Sequence, residues 1–242
     1  NNMARLATLF VALLAVYGSA SGARVQSNVQ PIEGPDGEYC SMCVSFMGQA
    51  LDELLNIILN AGVIGSCGDL CQQLPNSLEA TVCDLLCDYV GLDAFISLID
   101  YEDPDPIYAC EILGLCSMTG NGAANSVSFN IQPPSGPQGT TFTFTYVYKV
   151  TAQTSTGLAT IFLEPPTSST GQPISDAELI ANGQAPGEYN LQFSLQAQPS
   201  EGEPFGPGEY VSQVAVCAGD CSGEHEDSGV YCQATGNFSI TQ

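Results

Sequence analysis

Eight cysteines in close pairs constrain the first half of this chain more than any other feature. Residues four apart share one face of a helix, so two antiparallel helices joined by a turn at Pro75 would bring the flanking cysteines into nested pairs. The pairs predicted by this nesting are Cys71–Cys83, Cys67–Cys87, Cys40–Cys116 and Cys43–Cys110. The spacing alone leaves other pairings open, because eight cysteines can combine in about a hundred ways.

The N-terminus indicates export. Residues 1–23 read as a secretory signal peptide, with Arg5, an apolar run over 6–16 and small residues up to Ala23. Asn1 and Asn2, which precede a methionine, are expected to be artefactual, and no later segment is predicted to cross a bilayer. Cysteines in an exported chain favour disulfides over thiol or metal chemistry. We therefore expect a secreted or endolysosomal protein.

Apolar residues at helical spacing predict a first helix that begins at Tyr39 and ends before Gly62. A second helix is expected over 63–74, and a third over 78–90 with Ser77 as its N-cap. Shorter helical turns follow at 92–99 and 107–115. Asp105 before Pro106 fits an N-cap followed by proline at the first helical position.

This cysteine framework resembles the saposin-like (saposin-B-type) family over residues 38–118, with Cys67 and Cys87 as an added pair. The resemblance implies a bundle of four or five amphipathic helices that opens to bind lipid or a membrane surface. The same apolar residues would be ordinary core in a closed bundle. The residues expected to face lipid are Leu54, Leu55, Ile58, Leu85, Leu86, Val90 and Phe95.

The second half has β-rich runs separated by Pro, Gly and Ser turns. Strands are predicted at 127–132, 140–151, 158–163, 188–196, 209–217 and 230–240. Their spacing is typical of an antiparallel immunoglobulin-like β-sandwich. The fold class is thus α and β in separate domains. The predicted organisation is a signal peptide 1–23, a linker 24–37, a saposin-B-type domain 38–118, a linker 119–126 and the β-sandwich domain 127–242.

Three cysteines in the β half leave an odd count. Cys217–Cys221 is the most local pairing, and Cys221–Cys232 competes with it, so Cys232 is free, intermolecular or paired. Asn237 begins an N-glycosylation sequon, although its place near a late strand leaves its occupancy open.

The order of the two domains resembles the countin family of social amoebae. The resemblance rests on a β domain that opens with residues 133–140, continues through Gly208-Glu209-Tyr210 and ends in the Cys217-to-Cys221 loop with His225 just beyond it. It implies a secreted factor that acts in a complex to sense cell density and limit group size.

The net charge of the chain limits the classes of partner that we expect it to bind. The chain carries 26 Asp and Glu against 3 Lys and Arg, a net charge of −23. Phosphate repels such a surface, so no nucleic acid is expected as a partner, and attachment to anionic lipid is disfavoured at neutral pH. Acidification would remove self-repulsion and favour opening of the bundle onto membranes. A homodimer or a larger secreted complex is the remaining partner prediction.

The candidate metal and catalytic sites in the sequence lack residues that such sites need. Asp100 and Glu111 stand at calcium-loop spacing, but the glycine that an EF-hand needs at its sixth position is absent, so a solvated loop is expected. His225, the sole histidine, lies among carboxylates and is expected at an exposed loop tip. No nucleophile motif accompanies it. We expect no enzyme activity, no cofactor and no metal.

The sequence thus favours a secreted, non-enzymatic, lipid- or membrane-interacting saposin-like protein in a multiprotein assembly. The first alternative is a countin-like extracellular signalling component that regulates group size and cell adhesion. The second is an acid-activated pore-forming or antimicrobial protein, which the absence of cations from the helical half disfavours.

Overall fold

A computed structural model describes residues 26–27, 35–60, 64–99, 105–166, 172–199, 205–225 and 228–241. The predicted signal peptide lies outside them. The helical region, residues 35–118, contains helices α1 (Pro35–Asn60), α2 (Cys67–Cys71), α3 (Ser77–Val90), α4 (Leu92–Ile99) and α5 (Pro106–Ile112). The β region follows it, from residue 119 to residue 241.

Polar side chains set the starts of three helices. Ser66 caps α2, and Asp105 caps α5 by accepting the backbone N–H of Ile107 at 2.8 Å, which confirms the predicted cap. The cap predicted for α3 was wrong by one residue. Asn76 has extended backbone and its Oδ1 accepts the N–H of Leu78, so Ser77 is the first helical residue.

The second helix is shorter than predicted. Periodicity suggested 63–74, but α2 covers only Cys67–Cys71 because its cap, Ser66, fixes a late start. The carbonyls of Leu70 and Cys71 then accept N–H groups in tight turns that lead to Pro75. The hairpin is therefore held by its disulfides more than by helix length.

The disulfides tie the helical region into one unit. The described cysteines form Cys40–Cys116, Cys43–Cys110, Cys67–Cys87 and Cys71–Cys83, which are the nested pairs suggested by the spacing. The first two join α1 to the α5 end, across 76 and 67 residues of chain. The other two staple α2 to α3. All eight cysteines are buried in the same apolar cluster.

Helix α1 requires a correction. Its segment Tyr39–Asn60 is long and apolar enough to cross a membrane by length and composition alone, which the sequence reasoning did not anticipate. The same segment contributes Cys40 and Cys43 to disulfides and buries Met47 and Leu54 in the core. In the structure one face of this segment packs into the core of the helical region.

The β region comprises two sheets. The strands are β1 (Gln26–Ser27), β2 (Ala123–Gln132), β3 (Ser135–Pro137), β4 (Thr141–Ala152), β5 (Gly157–Glu164), β6 (Ile174–Ile180), β7 (Gly187–Gln196), β8 (Gly208–Ala218) and β9 (Gly229–Thr241). One sheet has the order β1-β7-β4-β2 and the other the order β3-β9-β8-β5-β6. Buried residues of both sheets form one aromatic-rich core, in which Phe142, Phe144, Tyr146 and Tyr148 of β4 alternate with half-buried neighbours.

The structure departs from the predicted strands in three places. β3 pairs with β9 in parallel, so the β region is not purely antiparallel. β6 was missed because Asp176 and Glu178 interrupt its apolar pattern, as is common at a sheet edge. The predicted linker 24–37 supplies β1 and the start of α1, and the linker 119–126 already contains the start of β2.

Of the three cysteines in the β region, the two that are nearest in sequence form a disulfide. Cys217 bonds Cys221 across a four-residue step at the end of β8. Cys232 on β9 is a buried free thiol. The competing pair, Cys221–Cys232, does not form.

Candidate functional site

A row of exposed apolar side chains marks one face of α3. Leu78, Leu85 and Tyr89 are 70%, 58% and 71% exposed. They are seven and four residues apart, so they line up along one side of the helix, and we call them the α3 stripe. The opposite side of α3 carries Cys83, Leu86 and Cys87, all buried in the core. Helix α3 is therefore apolar on two sides, and only one of them is covered.

Carboxylates border the α3 stripe. Asp84 and Asp88, four residues apart, lie along one edge, and Glu79 lies on the other, where its Oε1 accepts the side-chain N–H of Asn76. No lysine, arginine or histidine occurs in the sequence between residues 36 and 118. The potential over this surface is therefore negative throughout.

The residues predicted to face lipid fall into three groups. Leu54, Leu86 and Phe95 are fully buried in the core, and Leu55, Ile58 and Val90 are half-buried against it. Only Leu85 is exposed. Sequence reasoning missed Leu78 and Tyr89, although the two cysteines of α3 indicate which side of the helix faces inward and so which side is left outside.

A second cluster joins the helical and β regions. The ring of His225, in the β8–β9 connection, stacks on the ring of Tyr108 of α5 with centroids 3.8 Å apart and planes 4° apart. Its Nε2 lies 3.9 Å from Oδ2 of Asp105, the α5 cap. We call Asp105, Tyr108, Asp220 and His225 the α5 joint. It corrects two predictions. The His225 side chain, expected at an exposed loop tip, is only 10% exposed, and Asp105, which lies in the loop from Asp100 to Glu111 that was expected to be solvated, is buried.

Electrostatics at the α5 joint favour a protonated Asp105. Burial, reinforced by the negative charge of Asp220, raises the pKa of Asp105 from 3.8 to about 6. Backbone N–H groups of Ile107 and Tyr108 and the charge of His225 oppose this rise but do not cancel it. The joint therefore changes charge in mildly acidic solution.

Hydrogen bonds extend this contact along the connection between the regions. The N–H of Ser117 donates to Oγ1 of Thr156 at 2.9 Å, and the Thr156 hydroxyl donates to the carbonyl of Ala181 at 2.6 Å. The N–H of Thr119 donates to Oγ of Ser155 at 2.9 Å. Ser117, at the end of the predicted helical domain, and Thr119, in the predicted linker, are thus fixed to the β region.

The structure also places the third cysteine of the β region and the glycosylation sequon. Cys232 is buried beside Tyr146 and Ser126, and its burial raises the pKa of its thiol. Asn237 is exposed on β9, where its Nδ2 donates to Oε1 of Glu209 at 2.7 Å. Across the described ranges, no group of three or more His, Cys, Asp or Glu residues is placed to hold a metal ion. Residues 100–104 of the rejected calcium loop lie outside those ranges.

Fold and surface together define a class: a disulfide-framed helical region fixed to a two-sheet β region, with a strongly acidic and partly apolar surface. Two family models match it, the Countin N-terminal domain over residues 38–114 and the Countin C-terminal domain over residues 124–242. The chain belongs to the countin family.

Curated relatives agree over most of the chain. Countin-1 of Dictyostelium discoideum is 47% identical over 206 residues, which are 84% of this chain and 78% of the relative. Countin-2 is 40% identical over 204 residues, 84% and 78% of the two chains, and Countin-3 is 38% identical over 203 residues, 84% and 90%; both are from the same organism. Among solved structures, the C-terminal domain of wzt shares 14% identity at a TM-score of 0.36 over 52% of this chain and 78% of that one, which is too distant to argue from.

Proposed function

We propose that this protein is a countin-like extracellular signalling factor that acts as a non-enzymatic component of a secreted multiprotein assembly. The observation that carries the proposal is family membership across both regions, at 47% identity to Countin-1 over 206 residues. The expected output is the one that the family resemblance implies, which is regulation of group size and cell adhesion.

Two structural features support an extracellular role. Five disulfides among the described cysteines suit an oxidising compartment, and four of them hold together a helical region too small for a large core. The strongly acidic composition suits a soluble exported protein. At the finer level, we propose that the helical region is a saposin-type bundle and the β region an immunoglobulin-like sandwich.

A direct test uses the medium of the cells that make this chain. Velocity sedimentation of that medium, followed with an antibody to the β region, should place the protein in particles much heavier than the 25.3 kDa chain. Antibody depletion of the same medium should alter the mean number of cells per group, and purified protein should restore it. A protein that sediments only as a monomer and whose depletion changes nothing would refute the proposal.

Lipid binding is a second candidate, favoured by the apolar interior of the helical region. Leu54, Leu86 and Phe95 lie between the disulfides, so the bundle could part without losing its covalent frame. Co-sedimentation with phosphatidylcholine liposomes at pH 7 and pH 4.5 tests it. Acid-dependent binding without dye release would support lipid handling, and release would favour a pore. Absence of binding at both pH values would eliminate this candidate.

A further inference from the structure

The α3 stripe is apolar surface that the fold leaves uncovered. A surface helix of a soluble protein ordinarily has one apolar face and one polar face. Helix α1 keeps this rule over most of its length, with Asp52, Glu53 and Asn56 outside, and its two exposed apolar side chains, Tyr39 and Leu59, lie far apart near its ends, where they are ordinary. In α3 the outer face repeats the apolar character of the inner one. Contiguous exposed apolar surface of this kind marks a binding site for another molecule.

The shape of the stripe indicates the shape of its partner. Leu78 and Tyr89 are eleven positions apart on α3, or about 16 Å along its axis. Apolar anchors at this spacing on a convex helix fit an apolar groove, the arrangement by which amphipathic helices bind other proteins. The stripe thus acts as the inserted element and its partner supplies the groove.

The charges around the stripe indicate the sign of the partner. Asp84, Asp88 and Glu79 flank the apolar side chains, and the sequence from 36 to 118 offers no cation to offset them. Burying the stripe against a neutral or acidic rim would bring these carboxylates into a poorer solvent without compensation. A rim of lysine and arginine would pair with them and speed association.

We propose that the α3 stripe docks into an apolar groove with a lysine- and arginine-rich rim on another protein of the secreted assembly. The inference rests on the proposed function, since it assumes that the chain acts in an assembly, and it names the surface and the chemistry of the partner. A second copy of this chain does not fit, because its own stripe has the same acidic borders. Anionic lipid is repelled by the same carboxylates.

Sedimentation of secreted variants tests the surface. The stripe variant is Leu85→Gln with Tyr89→Gln. The control variant is Val127→Thr with Val230→Thr, which alters apolar side chains of the β region that are 55% and 49% exposed. Far-UV circular dichroism and intact mass establish that both variants fold with their disulfides formed. The stripe variant should leave the assembly, with a dissociation constant raised at least about tenfold, while the control stays bound.

A second variant tests whether the partner's groove has a basic rim. Asp84→Asn with Asp88→Asn should weaken incorporation and flatten its dependence on salt between about 50 and 500 mM NaCl, because fewer ion pairs remain to be screened. A salt dependence equal to that of the wild type would overturn the requirement for a basic rim.

Other outcomes distinguish a failure of the docking proposal from a failure of the proposed function. If the wild type is in the assembly and the stripe variant remains there, the α3 stripe is not the docking surface, and the proposed function stands. If the wild type is itself a monomer in the medium, both fall together. Stripe-dependent dimerisation of the purified protein would assign the face to a second copy. Stripe-dependent binding to phosphatidylcholine vesicles would assign it to lipid. Either result overturns the inference.

Discussion

Replacing Asp105 with asparagine removes the buried carboxylate of the α5 joint and keeps its helix cap. Asparagine is as good an N-cap as aspartate, so its Oδ1 can still accept the N–H of Ile107. The substitution therefore isolates the charge. It tests whether burial beside Asp220, and not the cap itself, governs the pH dependence of the joint.

The size of the change in the free energy of unfolding follows from the pKa of Asp105. Burial raises that pKa from 3.8 to about 6, so between these values the folded protein binds a proton that the unfolded chain has released. The free energy of unfolding must then fall as pH rises through this window. Each pH unit contributes about 1.4 kcal/mol, which gives about 3 kcal/mol at most and about 2 kcal/mol after allowing for partial access to water.

Urea unfolding at pH 4, 5, 6 and 7, followed by circular dichroism, measures the effect. The Asp105→Asn variant should be more stable than the wild type by about 2 kcal/mol at pH 7, and nearly equal to it at pH 4. Asp52→Asn, which removes the same charge from an exposed site on α1, is the matched control and should show no such difference. A wild type and an Asp105→Asn variant with the same pH dependence would refute the assignment.

Three further predictions concern the cysteines and the sequon. Removing Cys67–Cys87 by a double change to alanine should lower the free energy of unfolding of the helical region by about 3 kcal/mol, the value expected for a loop of 20 residues; an unchanged urea midpoint would contradict this. Cys232 should resist iodoacetamide at pH 8 in the folded protein and react in urea, because burial raises the pKa of its thiol; mass spectrometry distinguishes the two cases. Asn237 is exposed, so protein from the secreting cells should lose mass on deglycosylation, and an Asn237→Gln variant should not.

The helical region could be predicted where the signal is local. The 3.6-residue period of α1 and the aspartate–proline start of α5 depend on residues close in sequence, and the structure contains both. Leu78 and Tyr89 of the α3 stripe were missed because α3 is apolar on both sides, and periodicity does not distinguish an inner from an outer apolar face. Only the disulfide partners of Cys83 and Cys87 make that distinction.

Long-range contacts account for the other misses. His225 is predicted in solvent because its neighbours in sequence are acidic and glycine-rich, yet it packs on Tyr108, more than a hundred residues away. Burial of Asp105 follows from the same contact. The three residues of β3 form a strand only because β9 lies beside them, and no pattern within Ser135–Pro137 indicates this.

The most direct test of the central claim is depletion and restoration of the protein in the medium of developing cells that make it. The measured quantity is the mean number of cells per group. The account predicts that antibody depletion shifts this number and that purified wild-type protein, disulfides intact, returns it to the starting value. If group size stays the same after complete depletion, the protein does not act as an extracellular countin-like signal.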